Sequence, residues 1–516
     1  MKTLFFRCCL TVSIFVTACS SPRSITTTDN GKIAVNILQL NDVYEIAPIE
    51  AGRTGGMGRV AYLKKELLAK NPNSFLIMAG DFLSPSVYNS LTYEGKRIRG
   101  KQMVETMDAA GMDIVVFGNH EFDINEAELQ SRINESKFRW ISSNSFHKTT
   151  SGIVPFAKSN STGKEDFPET YILTVKDADG TVAKIGFIGI NIPFNKATYV
   201  SYTDPLATAE KLYNQIKDSC DMVVALTHQL IQDDILLAKK IPELAVIIGG
   251  HEHDMRYEKV GNVIIAKAHA NARSAYIINL SLNKNTGKKK VTATLKMIDA
   301  SVPIDSATDV VVKKWSNIAE KNYASIGFDA KIIVMQNGEP LEARESYIRK
   351  TTTNFSKLIV HAMEQAAPDA NVAIVNAGSI RLDDVLQPPV TQYDIIRSLP
   401  FGGSIVEAEM KGTLLMEILE AGRKNAGIGG FLHYSSTLFY DAINQQWKYK
   451  NEQIADGFVF RVALTDFLLT GGEANMGFLT KNNPGIIKTY PVVTAVSDPR
   501  SDIRLAIIRY MEKMSR

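Results

Sequence analysis

The chain has 516 residues, too many for one ordinary domain, so two or three are expected. Hydrophobic residues make up 45% and charged residues 22%, the balance of a soluble globular protein with ample core. A formal net charge of +3 is no strong excess of either sign, so neither a nucleic-acid polymer nor an acidic surface is expected as a partner.

Lys2 and Arg7 give a positive start, and Cys8 to Val16 is an apolar run too short to span a bilayer. Val16-Thr17-Ala18-Cys19 closes it with small residues before a cysteine. This resembles a bacterial lipoprotein signal, in which residues 1–18 are removed and Cys19 is acylated; an ordinary secretory signal cut nearby is the alternative. Ser20, where an aspartate would mark the other destination, resembles lipoproteins sent to an outer membrane. The expected location is therefore the bacterial cell envelope, lipid-anchored at the periplasmic side or surface. Loss of Lys2 and Arg7 leaves 56 basic against 55 acidic residues. Cys8 and Cys9 leave with the signal, so Cys220 remains alone beside Cys19 and no intramolecular disulfide or Cys-rich zinc site is expected. Residues 19–31 read as a polar tether.

From Ile33 the pattern becomes a strand-then-helix alternation, the signature of an α/β domain. Strands are predicted at Ile33 to Leu40, Ser74 to Ala79, Ile114 to Phe117, Ile185 to Ile190, Met222 to Thr227 and Ala245 to Ile248. Helical spacing covers Gly58 to Lys70, Gly100 to Ala110 and Asp233 to Lys240. The residues just after the strands carry the chemistry. Asn41-Asp42-Val43-Tyr44 comes after the first, Gly80-Asp81 after the second and Gly118-Asn119-His120-Glu121 after the third. His228 comes after Met222 to Thr227, and Gly250-His251-Glu252-His253 after Ala245 to Ile248. In open α/β sheets ligands bind outside the carboxyl ends of strands, so these ends make one convergent site. Four of the eight histidines stand there. Each piece alone has a simpler reading: Asp42 or Asp81 as a helix N-cap, His228 as a satisfied buried histidine. His251 and His253 alternate along an extended segment and point apart unless the backbone turns.

The set suits metal-assisted hydrolysis. Mixed carboxylate, amide and imidazole ligands suit Zn²⁺, Mn²⁺, Fe²⁺ or Co²⁺ better than one Ca²⁺. Six such ligands are too many for one tetrahedral ion and about right for two, roughly 3.5–4 Å apart, sharing a carboxylate. His120, if not a ligand, is free to stabilise or protonate a leaving oxygen, with Asp123 three residues on to orient it.

In this order the motifs resemble those of calcineurin-like metallophosphoesterases, most closely the two-domain 5′-nucleotidase family. The resemblance implies a four-layer α/β/β/α catalytic domain over residues 32–303, a linker helix over 304–328 and a smaller α+β substrate-binding domain over 329–516. It implies two divalent metal ions, with Asp42, Asp81 and His253 holding one and Asp81, Asn119, His228 and His251 the other. It makes His120 and Asp123 the catalytic pair. The family usually has histidine where this chain has Tyr44, so that tyrosine either ligates or stays neutral beside a vacant position.

Ser306 to Tyr323 has helical spacing, and Asn283 to Lys290 reads as a solvated hairpin turn. Beyond Ala330 no metal-type cluster appears. Asn376-Ala377-Gly378-Ser379-Ile380-Arg381, Gly429-Gly430-Phe431 and Asp466-Phe467 to Gly472-Glu473 resemble the family's substrate-domain motifs. The resemblance implies that Phe431 and Phe467 stack on a base, Asn376 and Arg381 bind substrate, Glu473 contacts the ribose and Arg349 binds phosphate. The usual Asp-Gly-aromatic after the last glycine pair is here Glu473-Ala474-Asn475. The function implied is metal-dependent hydrolysis of 5′-nucleotides or related phosphate esters outside the cytoplasm. Alternatives are a nucleotide-sugar or 2′,3′-cyclic-nucleotide hydrolase, or a nucleotide-binding protein that has lost catalysis.

Overall fold

A computed structural model describes residues 29–161, 163–193, 197–455 and 457–514. The signal-like segment and Cys19 lie outside the described residues. Among the described residues no helix is long and apolar enough to cross a membrane.

Two six-stranded sheets face each other in the first part. One has the strand order Lys288–Met297, Ser274–Asn283, Lys32–Leu40, Ser74–Met78, Ile114–Val116, Arg139–Ile141. The other runs Thr170–Lys176, Val182–Asn191, Met222–His228, Val246–Gly250, Val263–Lys267, Arg256–Val260. The Ile and Val runs of these strands make the layer between the sheets: Ile37, Ile77 and Val116 from one side meet Phe187, Val224 and Ile248 from the other. Strands buried on both faces read as unbroken apolar runs, which is why they are legible without alternation. Pro205–Ile216 and Ile231–Lys240 cover the outer face of the second sheet, and Met57–Lys70 and Lys101–Ala110 that of the first. The layers are thus helix, sheet, sheet, helix.

The parallel ladders put the functional ends side by side. Leu40 pairs with Met78, Ile77 with Ile114, and His228 with Gly250. The carboxyl ends of both sheets therefore open at one rim.

The helix Ser306–Ser325 leads to the second part, its N-cap Asp305 accepting from Thr308 N at 2.9 Å. There a five-stranded mixed sheet runs Leu432–Tyr434, Val372–Asn376, Val459–Thr465, Ile405–Lys411, Ile486–Thr489, flanked by the helices Asn354–Ala366 and Gly412–Lys424. One apolar cluster runs from Met57 and Met103 through Trp315 and Tyr323 to Phe355 and Ile395, so the two parts share core.

Candidate active site

The loops after the strands are held in strained shapes. Asp42 (φ 53°), Asp81 (φ 56°) and His251 (φ 89°) occupy the left-handed region. For a non-glycine residue this costs about 1 kcal/mol or more and persists only where the surroundings enforce it. Neither aspartate caps a helix. Glu121 enforces much of the shape. Buried beneath the rim, it accepts from the N–H groups of Asp81 (2.9 Å), Phe82 (2.7 Å), Leu83 (3.0 Å) and Gly118 (2.6 Å). One carboxylate thereby spends about its full acceptor capacity tying two strand ends together. Gly118 is required for the same closeness, since a Cβ there would collide with Asp81 Oδ1.

The turn at His251 brings His251 and His253 to one side despite their alternation. Glu252 between them anchors it, with Oε1 accepting from Ile231 N (2.6 Å) and Oε2 from Lys267 Nζ (2.5 Å). Lys267 is fully buried and also meets Asp234 Oδ2 (2.8 Å) and Gln229 O (2.6 Å). Burial opposes its charge, but Asp234 and Glu252 outweigh that and hold its pKa above the usual lysine value.

On this scaffold Asp42, Asp81 and His228, all buried, bring ligand atoms within 4.8 Å of one another. His228 Nε2 is 3.0 Å from Asp81 Oδ2 and 3.9 Å from Asp42 Oδ1, and His253 Nε2 is 3.6 Å from Asp42 Oδ1. Asn119 Oδ1 lies 3.1 Å from His251 Nδ1. These residues fit a metal centre. Two carboxylates out of water need a cation. His228 Nδ1 lies 2.7 Å from Ala79 O, an N–H donor's position, which leaves Nε2, facing the two carboxylates, as the ligand atom. Burial, then nearby His228, lowers the pKa of His251 to about 3, whereas in His228 burial opposes the charge but Asp81 and Asp42 outweigh it and raise the pKa to about 10. The two carboxylates thus draw a positive charge to His228 Nε2, where a cation would take the proton's place.

Tyr44 stands inside the cluster. Its hydroxyl is 3.4 Å from Asp42 Oδ1, 3.4 Å from Asp81 Oδ2 and 3.1 Å from His253 Nε2. Burial, with Asp81 and Asp42, pushes its pKa well above the ordinary phenol value, so it is neutral here.

His120 opens the short helix His120–Asp123, which sets its Nδ1 2.7 Å from Asp123 Oδ2. Burial disfavours its charge, but Asp81 and Asp123 outweigh burial and nearby Arg381, raising its pKa to about 9. It is therefore an imidazolium at neutral pH, ready to give a proton.

The second part presents the remaining candidates. Arg349 pairs with Glu345, and Arg381 Nη1 lies 3.8 Å from the same carboxylate. The Nε atoms of both arginines are buried without a hydrogen-bond partner. Asn376 donates to Glu473 Oε2 at 2.6 Å. Phe431 lies edge-on to His433 with centroids 5.4 Å apart, while Phe467 is 44% exposed. No ring contact joins Phe431 to Phe467 among the described residues. Sequence reasoning assigns no role to Glu121, Glu252, Lys267 and Glu345; of these, only Glu121, inside the Asn-His-Glu motif, and Glu252, between two histidines, offer a signal.

The calcineurin-like phosphoesterase profile matches residues 35–255, and the profile of the 5′-nucleotidase C-terminal domain matches residues 330–480. The chain belongs to the 5′-nucleotidase family. The 5′-nucleotidase of Bos taurus is 23% identical over 501 residues, covering 85% of this chain and 83% of that one. Endonuclease YhcR of Bacillus subtilis is 25% identical over 496 residues, covering 87% of this chain. This chain spans only 38% of that relative's length. The crystal structure of a 5′-nucleotidase precursor from Thermus thermophilus superposes with a TM-score of 0.67 at 18% identity, covering 93% of this chain and 97% of that one. At that identity the likeness speaks for the fold, and the fold is that of 5′-nucleotidase structures.

Proposed function

We propose that the chain hydrolyses the phosphate monoester of 5′-nucleotides with two divalent metal ions. The observation that carries this reading is the placement of His120, bonded through Nδ1 to Asp123 and through its backbone N–H to Asp81 of the Asp42–Asp81–His228 cluster. Asp42, Asp81 and His253 would hold one ion, and Asp81, Asn119, His228 and His251 the other. Bound metal supplies Lewis acidity, lowering the pKa of water and offsetting phosphoryl charge. Arg349 and Arg381 take the phosphate once it displaces Glu345 from them, a charge-assisted exchange of one anion for another. Arg381 lies close enough to His120 to affect its proton affinity, so the captured phosphate stands beside the acid. His120 then gives its proton to the leaving 5′ oxygen, and Asp123 stabilises the cation until that moment. Phe431 and the exposed Phe467 offer faces for a base, with Asn376 and Glu473 toward the sugar.

Phosphate release from AMP, a 2′,3′-cyclic nucleotide, a nucleotide sugar and a base-free phosphate monoester tests the reading. AMP is expected to be hydrolysed best, and Phe431→Ala to raise KM for AMP but not for the base-free ester. Preference for the cyclic or sugar substrate would overturn the monoester assignment, and equal KM losses would return Phe431 to a packing role.

We also propose that Cys19 carries a lipid anchor in a bacterial envelope, supported by the sequence Val16-Thr17-Ala18-Cys19. Cys19→Ala should turn a membrane-associated protein into a soluble or unprocessed one; unchanged partitioning into detergent would contradict it.

A further inference from the structure

The loop Arg381-Leu382-Asp383-Asp384 of the second part reaches the candidate metal cluster, with Asp383 in ion-pair range of His253. Asp384 pairs with Arg273, which also meets Glu50 Oε1 at 2.6 Å, so charge fastens the loop to the first part. Asp383 has φ 45°, a left-handed conformation that a non-glycine residue adopts only when held there. Its Oδ1 accepts from Glu345 N at 2.6 Å. Its Oδ2 lies 3.2 Å from His253 Nδ1. The other nitrogen of that ring, Nε2, faces Asp42 and Tyr44. The imidazole of His253 is thus bracketed, with ligand partners on one side and a carboxylate from the far half of the chain on the other. His253 Nδ1 is buried and makes no hydrogen bond, so the charge of Asp383, in ion-pair reach, is the partner that this nitrogen faces.

A ligating imidazole is steered by whatever its second nitrogen meets, and losing such a partner typically weakens metal binding by about 10–100-fold. The first of the two sites is also the poorer one, with Asp42, Asp81 and His253 as its three ligands against four for the second. We propose that Asp383 is the positioning residue of His253, so that the first metal is fully held only while the Arg381–Asp384 loop rests on the first part. This inference builds on the dinuclear metal reading above. It couples two events. Arg381, two residues before Asp383, takes the substrate phosphate, so phosphate capture and metal retention steady the same loop. By linkage each then strengthens the other.

The test uses the full chain and Mn²⁺ as the probe. Asp383→Gly removes the carboxylate while glycine accepts φ 45° without strain, which keeps the loop's backbone. Asp383→Asn keeps an acceptor oxygen and also tolerates that conformation. Calorimetric titration should show two Mn²⁺ per wild-type chain. Asp383→Gly should weaken one site about 10–100-fold and leave the other unchanged. Its electron paramagnetic resonance at one equivalent above the tight site should show isolated Mn²⁺ in place of a spin-coupled pair. Asp383→Asn should recover most of the affinity. Adding inorganic phosphate should tighten the weaker site in wild type and less so in Asp383→Gly. Two unchanged sites in Asp383→Gly, or equal weakening of both, would overturn the inference while leaving the metal reading intact. Wild-type protein that binds no second Mn²⁺ would remove the dinuclear reading and this inference together.

Discussion

Replacing Lys267 with methionine tests how the His251–Glu252–His253 turn is held. The two side chains have similar length, so the change leaves little cavity and isolates the lost charge. In the folded protein Lys267 Nζ meets Asp234 at 2.8 Å and Glu252 at 2.5 Å, with Lys267 and Asp234 fully buried and Glu252 partly so. Removing one partner of a buried ion pair costs about 3–5 kcal/mol, because the carboxylate left behind has neither water nor counter-charge. At about 2–4 °C per kcal/mol for a domain of this size, the unfolding midpoint should fall on the order of 10 °C. The loss should depend on pH in a defined direction. Stranded carboxylates have folded pKa values above their unfolded ones, so their protonated form favours folding. The deficit should therefore shrink as pH falls toward the ordinary carboxylate range and be complete near neutrality. Circular dichroism melts of both proteins at pH 7.5 and pH 5 measure this. Adding Asp234→Leu and Glu252→Gln should restore stability, since a neutral, well-packed substitute for a buried ion cluster is commonly no worse. A Lys267→Met midpoint within about 2 °C of wild type at pH 7.5, by the same scale, would refute the argument.

Two further predictions concern the chemistry. His120→Ala should lower kcat about 10²–10⁴-fold with metal content unchanged, the usual span of general acid help; loss of one metal equivalent would show that His120 is a ligand. Because its pKa is raised to about 9 and the protonated form acts, wild-type kcat should hold through neutrality and fall as pH rises past that value, a limb absent from His120→Ala. Tyr44→His should relax the dependence of purified protein on added divalent metal, as the first site gains an imidazole. An iron–phenolate absorption band abolished by Tyr44→Phe would instead make Tyr44 a ligand.

Much of the fold is legible in the sequence because both central sheets are double-covered, so their strands are plain apolar runs that end abruptly in polar residues. That same abruptness exposes Asp42, Asp81, Asn119, His228, His251 and His253, which need only their place at a strand's carboxyl end to be noticed. The pairing of His120 with Asp123 is local and can be read from a spacing of three. Other parts are not readable, for a common reason. Glu121 matters through four backbone groups from two loops, and Lys267 through acids 15 and 33 residues earlier. Asp383 meets His253 across the two halves of the chain, and Glu345 meets Arg381 from a separate element, relations that no local spacing records. The turn at His251 reverses an expectation from alternation because groups distant in the chain hold it: His251 N donates to Asp42 Oδ2, and Glu252 accepts from Ile231 N and Lys267 Nζ.

The most direct test of the central claim is phosphate release from AMP by one purified sample before chelation, after exhaustive chelation and after adding back Mn²⁺, Zn²⁺ or Co²⁺, with metal content measured at each stage. The account predicts phosphate and adenosine in equal amounts, activity lost with the metal, and recovery that tracks occupancy toward two ions per chain. Full activity in a sample stripped of metal would contradict it.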